Sequence, residues 1–329
     1  MRISFLVLIH IGILPRNYYR RLEKNIPTIK VFYADEKYPQ KEIFSSFHIR
    51  EFPIFQAFNK DEFFSRYLPK QIPLGNGLIV KSQAIESQIN GLLEEIFRNK
   101  KKFKDFKIIK KDFNYFKTEG FLVLKFNDFP LILKLSIETP FGLTHPFNKA
   151  FEERGIYTLG GANRYFLGFT RISNADKCSQ LLDSTTITIP RKWTWTPKNG
   201  RWLKIEGCDV GGKPYQEIST PAIYALVCEE VCSTTKPKTK DKRDYLKLCT
   251  ELEYKIDPHS NNFTMCGKKK NLIDTEHFPT LIGSTKKIKP CSSYSSWYVK
   301  IMGKYLKAGY LSFKNDRIKR QTEPNYYKL

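Results

Sequence analysis

Residues 254–276 read YKIDPHSNNFTMCGKKKNLIDTE and are the most informative part of this sequence. The runs 263–265 and 271–273 can pair as a hairpin, because the CGKKK segment between them supplies a glycine turn and lysines that solvate its tip. Such a hairpin brings Asn262 and Asp274, which lie at its two chain ends, to the same edge. The stretch therefore predicts two short strands with polar side chains gathered at their open end.

Three oxygen-bearing side chains meet at that open end. Asp257 precedes Asn262 by five residues, and Asp274 follows it by twelve. One amide and two carboxylates form a hard-oxygen site that suits Mg²⁺, which takes few protein ligands and completes its shell with water and substrate phosphates. A simpler explanation stays open, because Asp and Asn side chains also cluster in turns, where they hydrogen-bond the local backbone.

The spacing of these residues resembles a known family. The pattern Asp-x-His-x-x-Asn from Asp257 to Asn262, followed about a dozen residues later by Ile-Asp at Asp274, resembles the catalytic and metal loops of the protein-kinase-like superfamily. His259 makes it more similar to the small-molecule branch, the aminoglycoside, choline and lipopolysaccharide-core kinases. The resemblance implies an atypical kinase-like phosphotransferase that moves a phosphoryl group from Mg²⁺ and ATP to a hydroxyl acceptor. Asp257 would then orient or deprotonate the acceptor, while Asn262 and Asp274 would hold the metal on the nucleotide phosphates.

A second hairpin supplies a lysine. Residues 121–126 and 131–137 read as strands joined by the turn signature NDFP. Lys134 lies among apolar neighbours in the second strand, where a charge is either an edge-strand solubiliser or a lysine aimed into a site. The resemblance implies the latter, a phosphate-binding lysine paired with a glutamate on the next helix. Glu153 is the preferred partner, ahead of Glu152.

Two features depart from the family pattern. Residues 111–120, where the family has a glycine-rich phosphate loop, contain the single glycine Gly120, although several backbone amides approaching a phosphate normally require more than one. Only 55 residues follow Asp274 (329 − 274), so the helical lobe would be reduced. These departures favour the second alternative, a catalytically inactive kinase-like binding protein. The third alternative is an unrelated basic envelope or nucleic-acid-associated protein whose Asp and Asn loops are simply turns.

The charge of the chain points to anionic partners. Its 56 Lys and Arg residues outnumber 33 Asp and Glu residues, so the formal net charge is +23. Nucleotide phosphates, nucleic acid and an anionic membrane surface all fit this balance, and a compositional bias of the genome would produce it as well. Nucleic acid is the least favoured of these partners, because the sequence contains no RNA-binding aromatic motif, helix-turn-helix pattern or zinc-finger spacing.

The cysteines do not predict a disulfide framework. Seven are present, an odd number without the rhythm of a small disulfide-rich domain. Cys228 and Cys232 lie in an apolar run, residues 221–231 and just beyond, that reads as a helix. They are therefore expected to be buried thiols on one helix face rather than metal ligands.

The sequence predicts an α+β chain with a kinase-like two-lobed fold, a small mostly antiparallel sheet and a reduced helical C-terminal lobe. Residues 78–98 carry apolar residues at helical spacing, including Phe97, and predict an amphipathic helix. A further hairpin is expected between 185–189 and 201–205. The expected divisions are an apolar N-terminal segment (1–15), an extension with the amphipathic helix (16–104), a small sheet-rich lobe (105–206), and a helical lobe with the catalytic-type and metal-type loops (207–329).

The apolar run 3–14 bears on localisation. It is too short to span a bilayer but has the length of a signal-peptide core. More positive charge follows the run, at Arg16, Arg20 and Arg21, than precedes it. A secretory signal, a membrane-dipping anchor and a buried first strand all stay open, and a cytoplasmic or membrane-associated chain is favoured over an exported one.

Overall fold

The computed structural model describes residues 28–35, 41–44, 65–75, 77–140, 145–146, 157–158, 164–181, 187–208, 218–234 and 262–275. These residues form sixteen strands and two helices. In chain order they are β1 (Thr28–Tyr33), β2 (Lys41–Phe44), β3 (Gln71–Pro73), β4 (Ile79–Lys81), α1 (Ser82–Phe97), β5 (Phe106–Asn114), β6 (Glu119–Phe126), β7 (Leu131–Ile137), β8 (His145–Pro146), β9 (Tyr157–Thr158), α2 (Arg164–Leu181), β10 (Ile187–Thr188), β11 (Lys192–Trp195), β12 (Trp202–Cys208), β13 (Ile218–Pro221), β14 (Ile223–Glu229), β15 (Phe263–Cys266) and β16 (Lys269–Leu272). Helices combined with mostly antiparallel sheets make this an α+β fold, as the sequence predicts.

A five-stranded antiparallel sheet forms the centre of the described structure, in the order β11-β14-β7-β6-β5. The predicted β6–β7 hairpin is confirmed. Side chains alternate between the two faces of a strand. The odd-numbered residues of β7, from Leu131 to Ile137, are at most 4% exposed and belong to the main core. The even-numbered residues Ile132, Lys134 and Ser136 therefore point to the other face.

The first face of this sheet is covered by α1. The predicted amphipathic helix is confirmed with tighter bounds, and its stripe of Ile85, Ile89, Leu92, Leu93 and Ile96 packs into the same core as β6, β7 and β14. The prediction that Phe97 shares this stripe is wrong, because its side chain is 58% exposed. Phe97 is the last helical residue and lies about 100° around the axis from its buried neighbour.

Strand β14 is a correction to the sequence prediction, which placed a helix over 221–231. The segment instead pairs with β7 on one side and β11 on the other. Residues 224–228 are all buried, because a central strand is covered on both faces. A short, continuous apolar run without alternation does not distinguish such a strand from a buried helix.

The expected hairpin between 185–189 and 201–205 is also wrong. The turn itself forms, since the Gly200 amide donates a hydrogen bond to the Pro197 carbonyl at 3.1 Å. The strands on its two sides enter different sheets, however. Strand β11 joins the five-stranded sheet, whereas β12 lies in a four-stranded sheet of order β13-β12-β1-β2.

The predicted hairpin of β15 and β16 is confirmed, with register Phe263↔Leu272. Its turn contains Gly267 at φ +62°, a backbone conformation that glycine adopts without steric cost. Strand β10 completes a three-stranded sheet by pairing with β16 in parallel.

Helix α2 was not predicted. Its sequence, RYFLGFTRISNADKCSQL, mixes apolar residues with Gly, Thr, Ser and Asn, which are weaker helix formers and obscure the period. Ile172 of this helix packs with Leu226 and Cys228 on the second face of the five-stranded sheet. Of the helices in the described residues, none is long and apolar enough to cross a membrane.

Candidate functional site

The second face of the five-stranded sheet carries two lysines beneath α2. In the antiparallel register Lys192 lies opposite Cys228, and Leu226 lies opposite Lys134. Directly opposed residues share a face, and alternate residues of one strand do so too. Lys134 and Lys192 therefore project from neighbouring parts of the same surface, on the side away from α1.

Asp274 approaches this surface from the end of β16. The amides of Ile273 and Asp274 both donate to the Asn262 carbonyl, at 2.8 and 3.4 Å. The two ends of the hairpin thus meet, as the sequence predicts. The Asp274 carboxylate then accepts two charged hydrogen bonds, from Lys134 Nζ to Oδ2 at 3.1 Å and from Arg171 Nε to Oδ1 at 2.7 Å. The three side chains are only 10–16% exposed.

Thr275 holds α2 against the hairpin end. Its hydroxyl donates to the Arg171 carbonyl, and its own carbonyl accepts from Asn174 Nδ2 at 3.0 Å. Lys192 Nζ lies 3.4 Å from the same hydroxyl, a long hydrogen bond. Because Thr275 is fully buried, these contacts restrict where the neighbouring Asp274 can lie.

We call Lys134, Arg171, Lys192 and Asp274 the Asp274 cluster. It contains three basic side chains and one acid, so its charge is +2 when all are ionised (3 − 1). Burial by itself would raise the pKa of Asp274, but Arg171, Lys134 and Lys192 outweigh it and hold that pKa well below its ordinary value. Asp274 is therefore an anion at all ordinary pH values.

Burial disfavours the charged form of Lys192. Burial lowers its pKa to about 8, and the nearby charges of Lys134 and Arg171 act in the same direction, against the charge of Asp274. Burial also raises the pKa of the Cys228 thiol opposite it, so that thiol stays neutral. The charge of the cluster thus depends on pH through Lys192.

A disulfide joins the hairpin to the segment that follows β14. Cys232 and Cys266 are bonded across 34 residues, and Asn271 Nδ2 donates to the Cys232 carbonyl at 2.6 Å. The expectation of a buried thiol is wrong for Cys232 and correct for Cys228. Because β14 ends at Glu229 rather than continuing as a helix, the chain carries Cys232 away from Cys228 to the hairpin.

The five residues predicted for the site have different outcomes. Lys134 contacts the Asp274 carboxylate through its side chain, whereas Asn262 is joined to Asp274 through its backbone carbonyl. Asp257 and Glu153 lie outside the described residues, so their predicted roles stay predictions.

Arg171 and Lys192 were missed. Arg171 had no detectable signal, because its helix was not predicted. Lys192 did have one, since it begins the strand KWTW and, like Lys134, is a charge within an apolar strand.

The chain matches no protein-family model, no curated protein and no solved structure. The chemistry of the cluster itself favours an anion. Both Asp274 oxygens already accept from cations, so a metal ion would compete with Lys134 and Arg171 for them. Lysine and arginine donors at +2 net charge instead suit phosphate oxygens. Among the described residues, the donor set fits phosphate groups better than a bare Mg²⁺.

Proposed function

We propose that the Asp274 cluster binds the phosphate groups of a nucleotide, and that the chain is an atypical kinase-like phosphotransferase acting from MgATP on a hydroxyl acceptor. The observation that carries this proposal is the contact between Lys134 and Asp274 at 3.1 Å, across 140 residues of chain. These are the two residues that the kinase-like resemblance assigns to the phosphates. The five-stranded antiparallel sheet would be the small lobe, and the chain beyond it a reduced helical lobe.

The cluster is suited to phosphate because its donors are positioned in advance. Lys134, Arg171 and Lys192 are held in a largely buried site, where charged hydrogen bonds are stronger than in water and need little reorganisation. A bound phosphate would share these donors with Asp274. Mg²⁺ arriving with ATP would further neutralise the phosphates, and Asn262 and Asp274 are the residues proposed to hold it.

Two residues complete the proposed catalytic set. Asp257 would align or deprotonate the acceptor hydroxyl. Glu153 would pair with Lys134. Catalysis in this arrangement consists of positioning and electrostatic stabilisation rather than covalent chemistry by the protein.

A second candidate is a kinase-like protein that binds phosphate without transferring it. It is favoured by the engagement of both Asp274 oxygens, which leaves metal binding in competition with Lys134 and Arg171. The disulfide between Cys232 and Cys266 favours it too, because disulfides persist in oxidising compartments, and ATP is scarce outside the cytoplasm.

Thermal shift measurements with MgATP, with ATP plus EDTA, and with inorganic pyrophosphate test the phosphate site. We expect each ligand to raise the melting temperature, since a ligand that binds the folded state stabilises it by mass action. Lys134→Met should abolish the rise. Lys125→Met is the matched control, because Lys125 lies on the same sheet face but pairs with Glu230 outside the cluster.

Phosphoryl transfer is measured separately, by following labelled phosphate from the γ position of ATP to each member of a panel of hydroxyl compounds. If the ligands raise the melting temperature, the wild type transfers phosphate and Asp274→Asn does not, the result supports the phosphotransferase. Stabilisation without turnover selects the second candidate. If none of the ligands shifts the melting temperature at millimolar concentration, both candidates are wrong.

A further inference from the structure

A second basic surface lies far from the Asp274 cluster in sequence, along residues 97–117. We call it the lysine edge. It begins at the end of α1, continues through the connection to β5, follows β5 itself and ends in the turn before β6. Among the described strands, β5 pairs only with β6 and forms one edge of the five-stranded sheet. At about 3.3 Å per residue, its nine residues alone extend roughly 30 Å.

The lysine edge has a strong excess of positive charge. Residues 97–117 contain nine Lys and Arg and two Asp, a net charge of +7 (9 − 2), and all nine basic side chains are exposed. Three of them pair with glutamates: Arg98, Lys100 and Lys117. The other six form no ion pair within the described part of the chain: Lys101, Lys102, Lys104, Lys107, Lys110 and Lys111.

Exposed apolar side chains lie on the same edge. Phe97 is 58% exposed, Ile109 56% and Phe116 95%, and they are three of the five large hydrophobic side chains exposed in the described residues. They are spread along the whole edge, before β5, at its centre and in the turn after it. The central one stands at the register shift between Ile108 and Lys110, where a β-bulge inserts an extra residue.

Protection of a sheet edge explains only part of this composition. Lysines and a bulge both discourage pairing of an edge strand with another chain. Exposed Phe and Ile have the opposite effect, because they favour association. A surface that requires both cations and apolar side chains accounts for the two features together.

We propose that the lysine edge docks onto an anionic phospholipid surface, with its lysines over the headgroups and Phe97, Ile109 and Phe116 entering the interfacial layer. Charge complementarity provides the attraction, and each lysine near such a surface strengthens binding by a factor of about five. The apolar side chains favour lipid over duplex nucleic acid, whose phosphates offer them no apolar environment. The proposal is independent of the phosphate site.

Co-flotation of the full chain with vesicles tests it. We expect binding to vesicles of phosphatidylcholine with added phosphatidylserine, little binding to phosphatidylcholine alone, and release as salt is raised, since screening shortens the reach of the charges. Replacing Lys107, Lys110 and Lys111 with Glu should weaken binding at least about 100-fold. Phe116→Ser should weaken it roughly 10-fold at every salt concentration, because it removes an apolar contact.

A triple variant with Lys70, Lys81 and Lys198 changed to Glu is the matched control, since these lysines are also exposed but lie off the edge. Circular dichroism and melting curves establish whether each variant is folded. If the variant with Lys107, Lys110 and Lys111 changed to Glu is not folded, Phe116→Ser still gives an independent result. Equal losses in the two triple variants would overturn the proposal. The proposal would also be overturned if replacing Lys107, Lys110 and Lys111 only turned a dimer into a monomer, or if it removed RNA binding while vesicle binding stayed unchanged.

Discussion

Replacing Asp274 with alanine leaves Lys134, Arg171 and Lys192 facing one another without a carboxylate. At an effective dielectric constant of about 20, a unit charge pair 3.1 Å apart attracts by about 5 kcal/mol, and the 2.7 Å contact to Arg171 by about 6 kcal/mol. Desolvation offsets much of this attraction when the site forms. Removing one partner still costs about 3–5 kcal/mol, because the remaining charges stay buried without compensation.

Urea denaturation of the wild type and Asp274→Ala measures this cost. For a chain of 329 residues, a loss of about 3–5 kcal/mol corresponds to a melting temperature lower by roughly 4–7 °C. Asp176→Ala is the control, because Asp176 pairs with Arg66 at 2.6 Å but both side chains are more than 40% exposed. Such surface pairs contribute less than about 1 kcal/mol. If the two variants lose equal stability, the buried cluster described above is not present in solution.

The pH profile gives a second readout of the same substitution. The folded-state pKa of Asp274 lies below its ordinary value of 3.8, so its ionised form contributes stability that is fully present above that value. This contribution declines as the pH falls from about 4 toward the folded pKa. The difference in stability between wild type and Asp274→Ala should therefore narrow as the pH falls below about 4. A difference that stays unchanged in strong acid would contradict the charge pairing.

The remaining predictions concern Lys192 and the disulfide. The pKa of Lys192 is about 8 in the folded protein and 10.5 ordinarily, so between these pH values the unfolded chain binds more protons than the folded one. The free energy of unfolding of the wild type, relative to that of Lys192→Met, should therefore rise by roughly 3 kcal/mol from pH 8 to 10.5. Urea denaturation at several pH values checks this, and a constant difference would refute it. Reduction of the Cys232–Cys266 disulfide should cost about 4 kcal/mol for its span of 34 residues and weaken pyrophosphate binding, because the bond ties the Asp274 hairpin to the segment after β14. A double variant with Cys232→Ser and Cys266→Ser should no longer respond to reductant, whereas Cys178→Ser should respond like the wild type. Detection of free thiols at Cys232 and Cys266 in the oxidised wild type would contradict the pairing.

Local patterns were sufficient for the elements that form from neighbouring residues. Helix α1 follows from its helical period, and the two hairpins follow from alternating or β-rich runs joined by NDFP and by a glycine turn. In each case the partner lies within a few residues, so a short window of sequence contains the information that determines the pairing.

The same reasoning failed where the paired segments lie far apart in the sequence. Strand β14 is apolar at almost every position, and only its place between β7 and β11 makes it a strand. Cys232 pairs with Cys266 because β14 ends where a helix would have continued. Nothing near these residues in sequence specifies their partners.

The sequence by itself determined that Asn262 and Asp274 share one end of a hairpin and that Lys134 is a charge within an apolar strand. Only the tertiary structure decided that Asp274 meets Lys134, and that Arg171 and Lys192 join them. The reason is physical: hairpin pairing depends on turn chemistry and alternation over a few residues. The burial of one carboxylate among three cations depends instead on packing α2 and the hairpin against a sheet assembled from distant parts of the chain.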